Sequence, residues 1–242
     1  MKENNISLVI PCYNEEDNLP TIFNRIDELK LEMENLEFIL VDNGSTDHSK
    51  KIIKEYIASK NCPEIKAVYV TKNEGYGHGI LEGLKESTGD YLAWTHADLQ
   101  TDLKDIIPAS KILNQNPTEK VIVKGSRRGR HLLDTLFTYG MSVVSRVLIK
   151  DWLSDINAQP KLFPRNLYQK LNDPPKDFSL DLYLLWKSRQ EGYAIKTFPV
   201  RFNKRLYGEA KGGGGFKTRF KLIKRTFQYI QKLKRHIEAE PC

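Results

Sequence analysis

Polar residues that could hold a metal ion or a phosphate follow the short apolar runs in the first half of this 242-residue chain. The most suggestive pair is Asp98 and Gln100, because side chains two residues apart on an extended backbone point to the same side. Oxygen ligands with open coordination positions suit Mg²⁺ or Mn²⁺, which complete their shells with substrate phosphates. Taken alone, the pair is also typical of a helix cap or a solvated loop, and those are commoner.

Further polar residues could serve a nucleotide. Arg127, Arg205 and Lys211 could neutralise a diphosphate, and Asp42 could accept hydrogen bonds from a base. The glycine-rich stretch Gly75–Gly79 allows a close backbone approach, but it lacks the P-loop spacing and the dinucleotide fingerprint. It predicts either a ligand contact or a helix-initiating turn, and it gives no support to ATP hydrolysis or NAD binding.

The elements that must position these residues are visible as an alternation of apolar and amphipathic stretches over residues 6–125. The apolar runs are ISLVIP, EFILVD, IKAVYVT, DYLAWT and KVIVKG. This pattern predicts an α/β fold in which a mostly parallel sheet is flanked by helices. Ligands of open α/β sheets bind beyond the carboxyl ends of the strands, so the segments PCYNE, DNGS, KNEG and HADLQ should converge on one edge.

The regular alternation stops after residue 125. Residues 132–149 predict an apolar helix covered by the core or by a lipid surface, residues 179–191 a second helix, and residues 194–202 a strand. Gly212–Gly215 predict a hinge, and the apolar residues of 216–237 recur at helical spacing between Lys and Arg. We therefore expect one α/β domain over residues 1–211, followed over residues 212–242 by a glycine hinge and a basic amphipathic C-terminal helix.

Charge and composition narrow the class of protein. The formal net charge is +7, and residues 201–237 hold 12 Lys and Arg against one acid, Glu209. Such a segment suits an anionic partner or is a solvated helix, and it has no recognised nucleic-acid motif, so no nucleic acid is expected. The chain has no apolar run of membrane-spanning length and no signal-peptide pattern, and its three cysteines lack metal or disulfide spacing. We expect a cytoplasmic location.

The chain resembles the family-2 glycosyltransferases with a GT-A fold, which is Rossmann-like. Among them it is most similar to dolichyl-phosphate and polyprenyl-phosphate sugar synthases. The segments that carry the resemblance are, in order, IPCYNEEDNL, FILVDNGSTD, NEGYGHGILEGL, GDYLAWTHADLQTD, GSRRGR, INAQPKLFPR and RLYGEAK. They cover roughly residues 5–211.

The resemblance implies roles for individual residues. Asp98 and Gln100 match the last two polar positions of the family's Asp-x-Asp-x-Gln metal motif, which binds Mg²⁺ or Mn²⁺. The nucleotide-sugar-binding positions implied are Pro11, Tyr13, Glu15 and Asp42 for the nucleoside, and Asp98, Arg127, Arg205 and Lys211 for the diphosphate.

Three departures from the family pattern bear on the site. His96 replaces the first Asp of the metal motif, where it either binds the ion, with a shift toward Mn²⁺, or only lines the site. Asn43 replaces the second Asp of the usual Val-Asp-Asp-Gly-Ser, so a non-catalytic relative is another interpretation. Asn157 and Gln159 stand where the synthases have Asp-x-x-Ser-Gly-Phe near the acceptor, and they are either acceptor residues or part of a polar loop.

The activity that the resemblance implies is the inverting transfer of a sugar from a nucleotide-diphosphate sugar to a polyprenyl phosphate. The alternative acceptor is a sugar hydroxyl of a glycan, which needs a general base. Asp181 is the candidate catalytic base, and its alternative role is to complement the dipole of the helix that it begins. With a lipid acceptor, the segment 216–237 would hold the protein peripherally at the inner face of the membrane.

Overall fold

The computed structural model describes residues 4–116, 120–128, 146, 153–203, 205, 227–228, 231 and 234–235. Over this part of the chain seven strands form one sheet: β1 (Ile6–Cys12), β2 (Leu36–Asn43), β3 (Ile65–Val70), β4 (Tyr91–Trp94), β5 (Val121–Arg128), β6 (Lys161–Pro164) and β7 (Ala194–Arg201). Their spatial order is β3-β2-β1-β4-β6-β5-β7. The strands β1 to β4 run parallel, as do β5 and β7, and β6 alone is antiparallel to its neighbours. The predicted α/β fold with a mostly parallel sheet is confirmed.

Helices cover both faces of this sheet. They are α1 (Leu19–Glu32), α2 (Ser49–Lys60), α3 (Tyr76–Lys85), α4 (Ile106–Asn114), α5 (Arg165–Tyr168) and α6 (Leu180–Gln190), with a 3₁₀ turn at Leu103–Asp105. One core lies between the sheet and α1, α2 and α4, and a second lies between the sheet and α3 and α6. The central strands are buried on both faces, and their sequences are accordingly nearly continuous runs of Ile, Val and Leu.

The short strand β6 and the short helix α5 are elements that the sequence pattern did not predict. The strand has four residues, contains Lys161 and follows a proline, so neither its length nor its composition signals a strand. It pairs with β4 on one side and β5 on the other, which sets Lys161 directly opposite both Trp94 and Lys124. The insertion of β6 therefore brings two lysines together in the interior.

Several predictions fall on the rest of the chain. The apolar helix over 132–149, apart from the isolated Arg146, and the hinge at 212–215 lie outside the described residues. Of the predicted C-terminal helix, Phe227, Gln228, Gln231, Lys234 and Arg235 are helical and exposed, and the others lie outside. The helix over 216–237 and the division at residue 211 thus stay predictions. No helix within the described ranges is long and apolar enough to cross a membrane.

Candidate active site

The loops after the parallel strands meet at one edge of the sheet, as the sequence predicted. The Asn14 backbone N–H donates to Ser45 Oγ over 3.1 Å, which joins the loops after β1 and β2. The Asn43 side-chain amide donates to the Gly75 carbonyl over 2.9 Å, which joins β2 to the loop before α3. His96, after β4, lies against Tyr76 at the start of α3.

Asp98 and Gln100 meet at a single positive group. Arg205 Nη2 donates to Asp98 Oδ2 over 2.9 Å, and Arg205 Nε donates to Gln100 Oε1 over 3.3 Å. Asp98 is 6% exposed, so this ion pair is largely shielded from solvent. Two backbone hydrogen-bonding groups of Asn203 fix Gln100, accepting from its Nε2 and donating to its carbonyl. The segment after β7 is thereby attached to the segment after β4.

The backbone at this pair is not extended, which corrects the local expectation. The strand β4 ends at Trp94, and Leu99 has φ of +55° in a turn. The Gln100 N–H donates to Asp98 Oδ1 over 3.1 Å, so the turn stabilises the carboxylate. The two side chains converge because of this turn and Arg205, and not because of strand geometry. A positive φ at a branched, non-glycine residue is strained and is typical of functional sites.

The donor set fits a divalent metal ion. No group of three His, Cys, Asp or Glu side chains that could hold an ion occurs among the described residues. The Asp98 carboxylate and the Gln100 amide oxygen, however, already converge on one cationic group, the Arg205 guanidinium. Carboxylate and amide oxygens are the ligands that Mg²⁺ and Mn²⁺ prefer, and such ions take their remaining ligands from phosphates and water.

His96 is held by aromatic neighbours beside this pair. Its ring stacks on Tyr76 with centroids 5.2 Å apart, and Tyr76 stacks on Phe178 with centroids 4.7 Å apart. His96 Nε2 lies 3.3 Å from the Tyr76 hydroxyl. Burial lowers the pKa of His96, although the charges of Asp98 and Asp181 oppose this effect. The imidazole is therefore neutral at pH 7.

Behind His96 lies a buried polar network centred on Asp181, at the start of α6. Asp181 Oδ1 accepts hydrogen bonds from Trp94 Nε1 over 3.1 Å, Gln159 Nε2 over 3.2 Å and Lys161 Nζ over 2.6 Å. Asp181 is 0% exposed and Lys161 1%. Within the described residues Asp181 Oδ2 has no hydrogen-bond partner. The predicted catalytic base is thus a fully buried carboxylate that is already ion-paired.

A second group of charges adjoins this network. Arg127 binds Asp155 with both its guanidinium and its backbone N–H, the latter over 2.7 Å. Burial alone would raise the pKa of the Asp155 carboxyl, but hydrogen bonds from Arg127 hold that pKa below its usual value. Lys124 is 2% exposed and donates to the carbonyls of Gly125 and Asp155. Burial, reinforced by Lys161, lowers the pKa of Lys124 to about 8.

The predicted nucleoside residues lie around the ends of β1 and β2. Asp42 is 1% exposed, and its Oδ1 accepts from the Ser45 N–H over 3.1 Å. Its Oδ2 is buried and has no hydrogen-bond partner within the described part of the chain. Pro11 and Tyr13 are partly buried, and the Glu15 carboxylate accepts from the Asn18 amide over 2.6 Å.

The glycine-rich stretch is accounted for by close packing. A Cβ at Gly75 would lie 2.3 Å from the Lys176 carbonyl, and one at Gly77 would lie 2.6 Å from the Pro175 carbonyl. The His78 N–H donates to the Lys176 carbonyl over 2.9 Å. The segment before α6 thus lies directly on the first turn of α3, which only glycines permit.

The two candidate acceptor residues differ in location. Asn157 is exposed, whereas Gln159 is 1% exposed, and its amide is directed inward to Asp181 and Tyr76. Lys211 lies outside the described residues. Sequence reasoning missed Tyr76, Lys124 and Lys161. The signal that could have identified them is a hydroxyl in a glycine-rich stretch for Tyr76, and a charged side chain in an otherwise apolar stretch for the two lysines.

Comparison with known proteins decides the family. Residues 7–183 match the sequence model of Glycosyl transferase family 2. The chain belongs to glycosyl transferase family 2. Two curated relatives are a dolichyl-phosphate beta-glucosyltransferase of Dictyostelium discoideum, 26% identical over 69% of this chain, and a dolichol-phosphate mannosyltransferase of Pyrococcus furiosus, 29% identical over 93%. An undecaprenyl-phosphate 4-deoxy-4-formamido-L-arabinose transferase of Proteus mirabilis is 37% identical over 43%.

The alignments cover 56%, 64% and 32% of the lengths of these three relatives, respectively, so this family-2 chain matches less than two thirds of each. Solved structures agree on the GT-A fold. A mannosyltransferase of Pyrobaculum calidifontis, in complex with GDP-Man and Mn²⁺, has a TM-score of 0.70 at 20% identity, covering 100% of this chain and 66% of that one. Glucosyl-3-phosphoglycerate synthase of Mycobacterium tuberculosis, with Mn²⁺ and UDP, has a TM-score of 0.71 at 17% identity, covering 96% and 80%.

Proposed function

We propose that this chain is an inverting glycosyltransferase that moves a hexose from a nucleotide-diphosphate sugar to a polyprenyl phosphate. The observation that carries the proposal is the unit formed by Asp98, Gln100 and Arg205, in which oxygen ligands and a guanidinium meet at the carboxyl edge of the sheet. A site of this composition is suited to a diphosphate. The named relatives that use dolichyl or undecaprenyl phosphate support the lipid acceptor.

The barrier to sugar transfer lies in the charge that develops on the departing diphosphate. The bond between the sugar C1 and the diphosphate oxygen breaks, and its electron pair leaves with the nucleoside diphosphate. A Mg²⁺ or Mn²⁺ ion held by Asp98 and Gln100 would neutralise part of that charge. The Arg205 guanidinium already contacts Asp98 and Gln100, so it is positioned to neutralise a further part of the diphosphate charge when the donor is bound.

The state of Asp181 favours a phosphate acceptor over a hydroxyl. A phosphate oxygen is already anionic and attacks C1 from the opposite face without losing a proton, which gives inversion. A sugar hydroxyl must give its proton to a base. Asp181, the candidate base, is fully buried and receives three hydrogen bonds on one oxygen, including one from Lys161. This arrangement suits a structural anion better than a proton acceptor.

The predicted basic helix over 216–237 supports a location at a membrane surface. Its apolar positions would enter the interface while its Lys and Arg side chains contact anionic headgroups at the inner face. A lipid phosphate acceptor lies in the same plane. We therefore include peripheral membrane association in the proposed function, together with Asn157 as an exposed residue on the acceptor side.

The test is a transfer assay with UDP- and GDP-sugars, Mg²⁺ or Mn²⁺, and a short polyprenyl phosphate. We expect metal-dependent transfer to the lipid that Asp98→Asn lowers by at least about a hundredfold, as for loss of one transition-state contact to charge. The matched control is Asp102→Asn, which alters an acid four residues away that caps the 3₁₀ turn. Transfer to glycans without lipid preference would support the hydroxyl acceptor, and absence of nucleotide-sugar binding would refute the proposal.

A further inference from the structure

His96 stands where the family pattern has a carboxylate, and its contacts show which of its two nitrogens carries the proton. Each imidazole nitrogen donates or accepts a hydrogen bond according to whether it carries a proton. A neutral imidazole has one N–H donor and one acceptor nitrogen. Its Nε2 lies 3.3 Å from the Tyr76 hydroxyl, so the direction of that single hydrogen bond determines the tautomer.

The direction follows from Gln159, one step deeper in the network. Gln159 Nε2 lies 3.2 Å from Asp181 Oδ1. A carboxylate only accepts hydrogen bonds, so the amide group must present its nitrogen there and not its oxygen. The same nitrogen has a second hydrogen, and it lies 3.2 Å from the Tyr76 hydroxyl. The Tyr76 oxygen therefore accepts from Gln159.

The Tyr76 hydroxyl proton must then go elsewhere. The indole N–H of Trp94 donates to Asp181 Oδ1 and offers the Tyr76 hydroxyl no acceptor. With the Gln159 N–H directed at the Tyr76 oxygen, the buried hydroxyl proton is satisfied by pointing to His96 Nε2, the acceptor within reach among the described residues. His96 Nε2 is consequently an acceptor that is already occupied, and the imidazole proton is on Nδ1.

We propose that His96 acts through its Nδ1–H as a hydrogen-bond donor to a phosphate oxygen of the bound nucleotide sugar, and that it is not a metal ligand. The phosphate contact rests on the proposed function, whereas the tautomer does not. In the described part of the chain Nδ1 has no hydrogen-bond partner, and it is not one of the buried unpaired atoms, so it is open to a ligand. Asp98 and Gln100 would hold the ion without it.

The tautomer is measured directly on the full-length protein without ligands. Two-dimensional ¹H–¹⁵N correlation through the imidazole couplings separates the two neutral tautomers, and His96→Asn assigns the signal. We expect the form protonated on Nδ1. Tyr76→Phe keeps the stacked ring and removes the hydroxyl, so it should release the preference and mix the two tautomers. Detection of the form protonated on Nε2 in the wild type would overturn the proposal.

A pair of amide substitutions separates the two nitrogens, because an Asn amide nitrogen reaches the position of Nδ1 and a Gln amide reaches that of Nε2. Mn²⁺ alone, titrated by electron paramagnetic resonance, should bind His96→Asn and His96→Gln within about twofold of the wild type. Asp98→Asn should weaken Mn²⁺ binding by about tenfold or more, since loss of a residue that only supports a metal ligand already costs that much. A comparable loss in His96→Asn that His96→Gln restores would show ligation through Nε2 and overturn the proposal.

The phosphate contact is tested by nucleotide-sugar affinity. His96→Leu should weaken binding by about tenfold, the usual consequence of losing a hydrogen bond to a charged group, and His96→Asn should restore most of it. His96→Gln should not. Equal affinity in all three variants would overturn the contact. A wild-type protein that binds no nucleotide sugar would refute the proposed function together with this contact, while the tautomer and Mn²⁺ measurements would still judge His96 by themselves.

Discussion

Replacing one partner of the buried ion pair between Lys161 and Asp181 should cost much more stability than replacing one partner of an exposed ion pair of similar geometry. Lys161 Nζ and Asp181 Oδ1 are 2.6 Å apart, with side chains 1% and 0% exposed. Lys176 and Glu74 are 2.7 Å apart, with side chains 58% and 45% exposed. The two pairs differ in burial and hardly at all in distance, so they separate the effect of burial from that of proximity.

Replacing one partner of the buried pair leaves the other as an uncompensated charge in the interior. Asp181→Asn keeps an acceptor oxygen but removes the negative charge, so the Lys161 ammonium loses its counter-charge and hydrogen-bonds neutral oxygens, including the Ala158 carbonyl 3.1 Å away. We expect a loss of about 3–5 kcal/mol of unfolding free energy. Lys161→Met leaves the Asp181 carboxylate with N–H groups of Trp94 and Gln159, so its loss should be near the lower end, about 3 kcal/mol.

The double variant Lys161→Met with Asp181→Asn removes both charges, so it should be less destabilised than the sum of the single variants by about 2 kcal/mol or more. Urea denaturation followed by circular dichroism measures all three. Lys176→Met is the control, and its unfolding midpoint should match that of the wild type. The reasoning is refuted if each buried single substitution costs under about 1 kcal/mol, or if the two effects simply add.

Three other perturbations follow from single features of the molecule. Burial lowers the pKa of Lys124 from 10.5 to about 8, so between these pH values the folded chain binds fewer protons than the unfolded chain. Lys124 should therefore reduce the free energy of unfolding by about 3 kcal/mol below pH 8, and by progressively less as the pH rises to 10.5. In urea titrations Lys124→Met should be more stable than the wild type at pH 7.5, and a difference that does not shrink at pH 10 would contradict this. Gly77→Ala would place its Cβ 2.6 Å from the Pro175 carbonyl and should destabilise the protein by about 1–3 kcal/mol in thermal unfolding. Leu84→Ala tests a different effect, the loss of core volume, and should cost about 2–5 kcal/mol in the same measurement. Replacing Lys221, Lys224 and Arg225 by Gln should weaken flotation with anionic vesicles at least about tenfold and leave neutral vesicles unaffected, and equal flotation would argue against membrane docking by this segment.

The framework of the fold could be predicted from sequence because its signals are local. The strands β1 to β5 are short apolar runs between amphipathic stretches, and the parallel arrangement places their polar ends together. The strand β6 could not be predicted because its stability comes from pairing on both sides and not from its own four residues. A buried lysine in so short a segment reads as surface until its partner is known.

The site was predictable in its members but not in its connections. The sequence identified Asp98, Gln100 and Arg205 as separate candidates. The turn at Leu99 that brings Asp98 and Gln100 to the Arg205 guanidinium depends on a positive φ, which has no signal in the sequence. The burial of Asp181 likewise depends on Lys161, which β6 brings to it over a distance of 20 residues in the chain. Such long-range pairings have no local periodicity to reveal them.

Two of the three departures from the family pattern, Asn43 and His96, are accommodated by the same element of the structure. Asn43 and His96 each replace a carboxylate by a neutral group, and both contact the start of α3. Asn43 donates to the Gly75 carbonyl, and His96 accepts from the hydroxyl of the next residue, Tyr76. An Asp at position 43 could not donate to that carbonyl, and it would add a buried charge against Gly79, whose Cα lacks the Cβ that would collide with the Asn43 side chain. Decay of an unused site would not be expected to fit both replacements to one loop while leaving Asp98, Gln100 and Arg205 joined. Both replacements are thus accommodated by the first turn of α3, beside an intact unit of Asp98, Gln100 and Arg205.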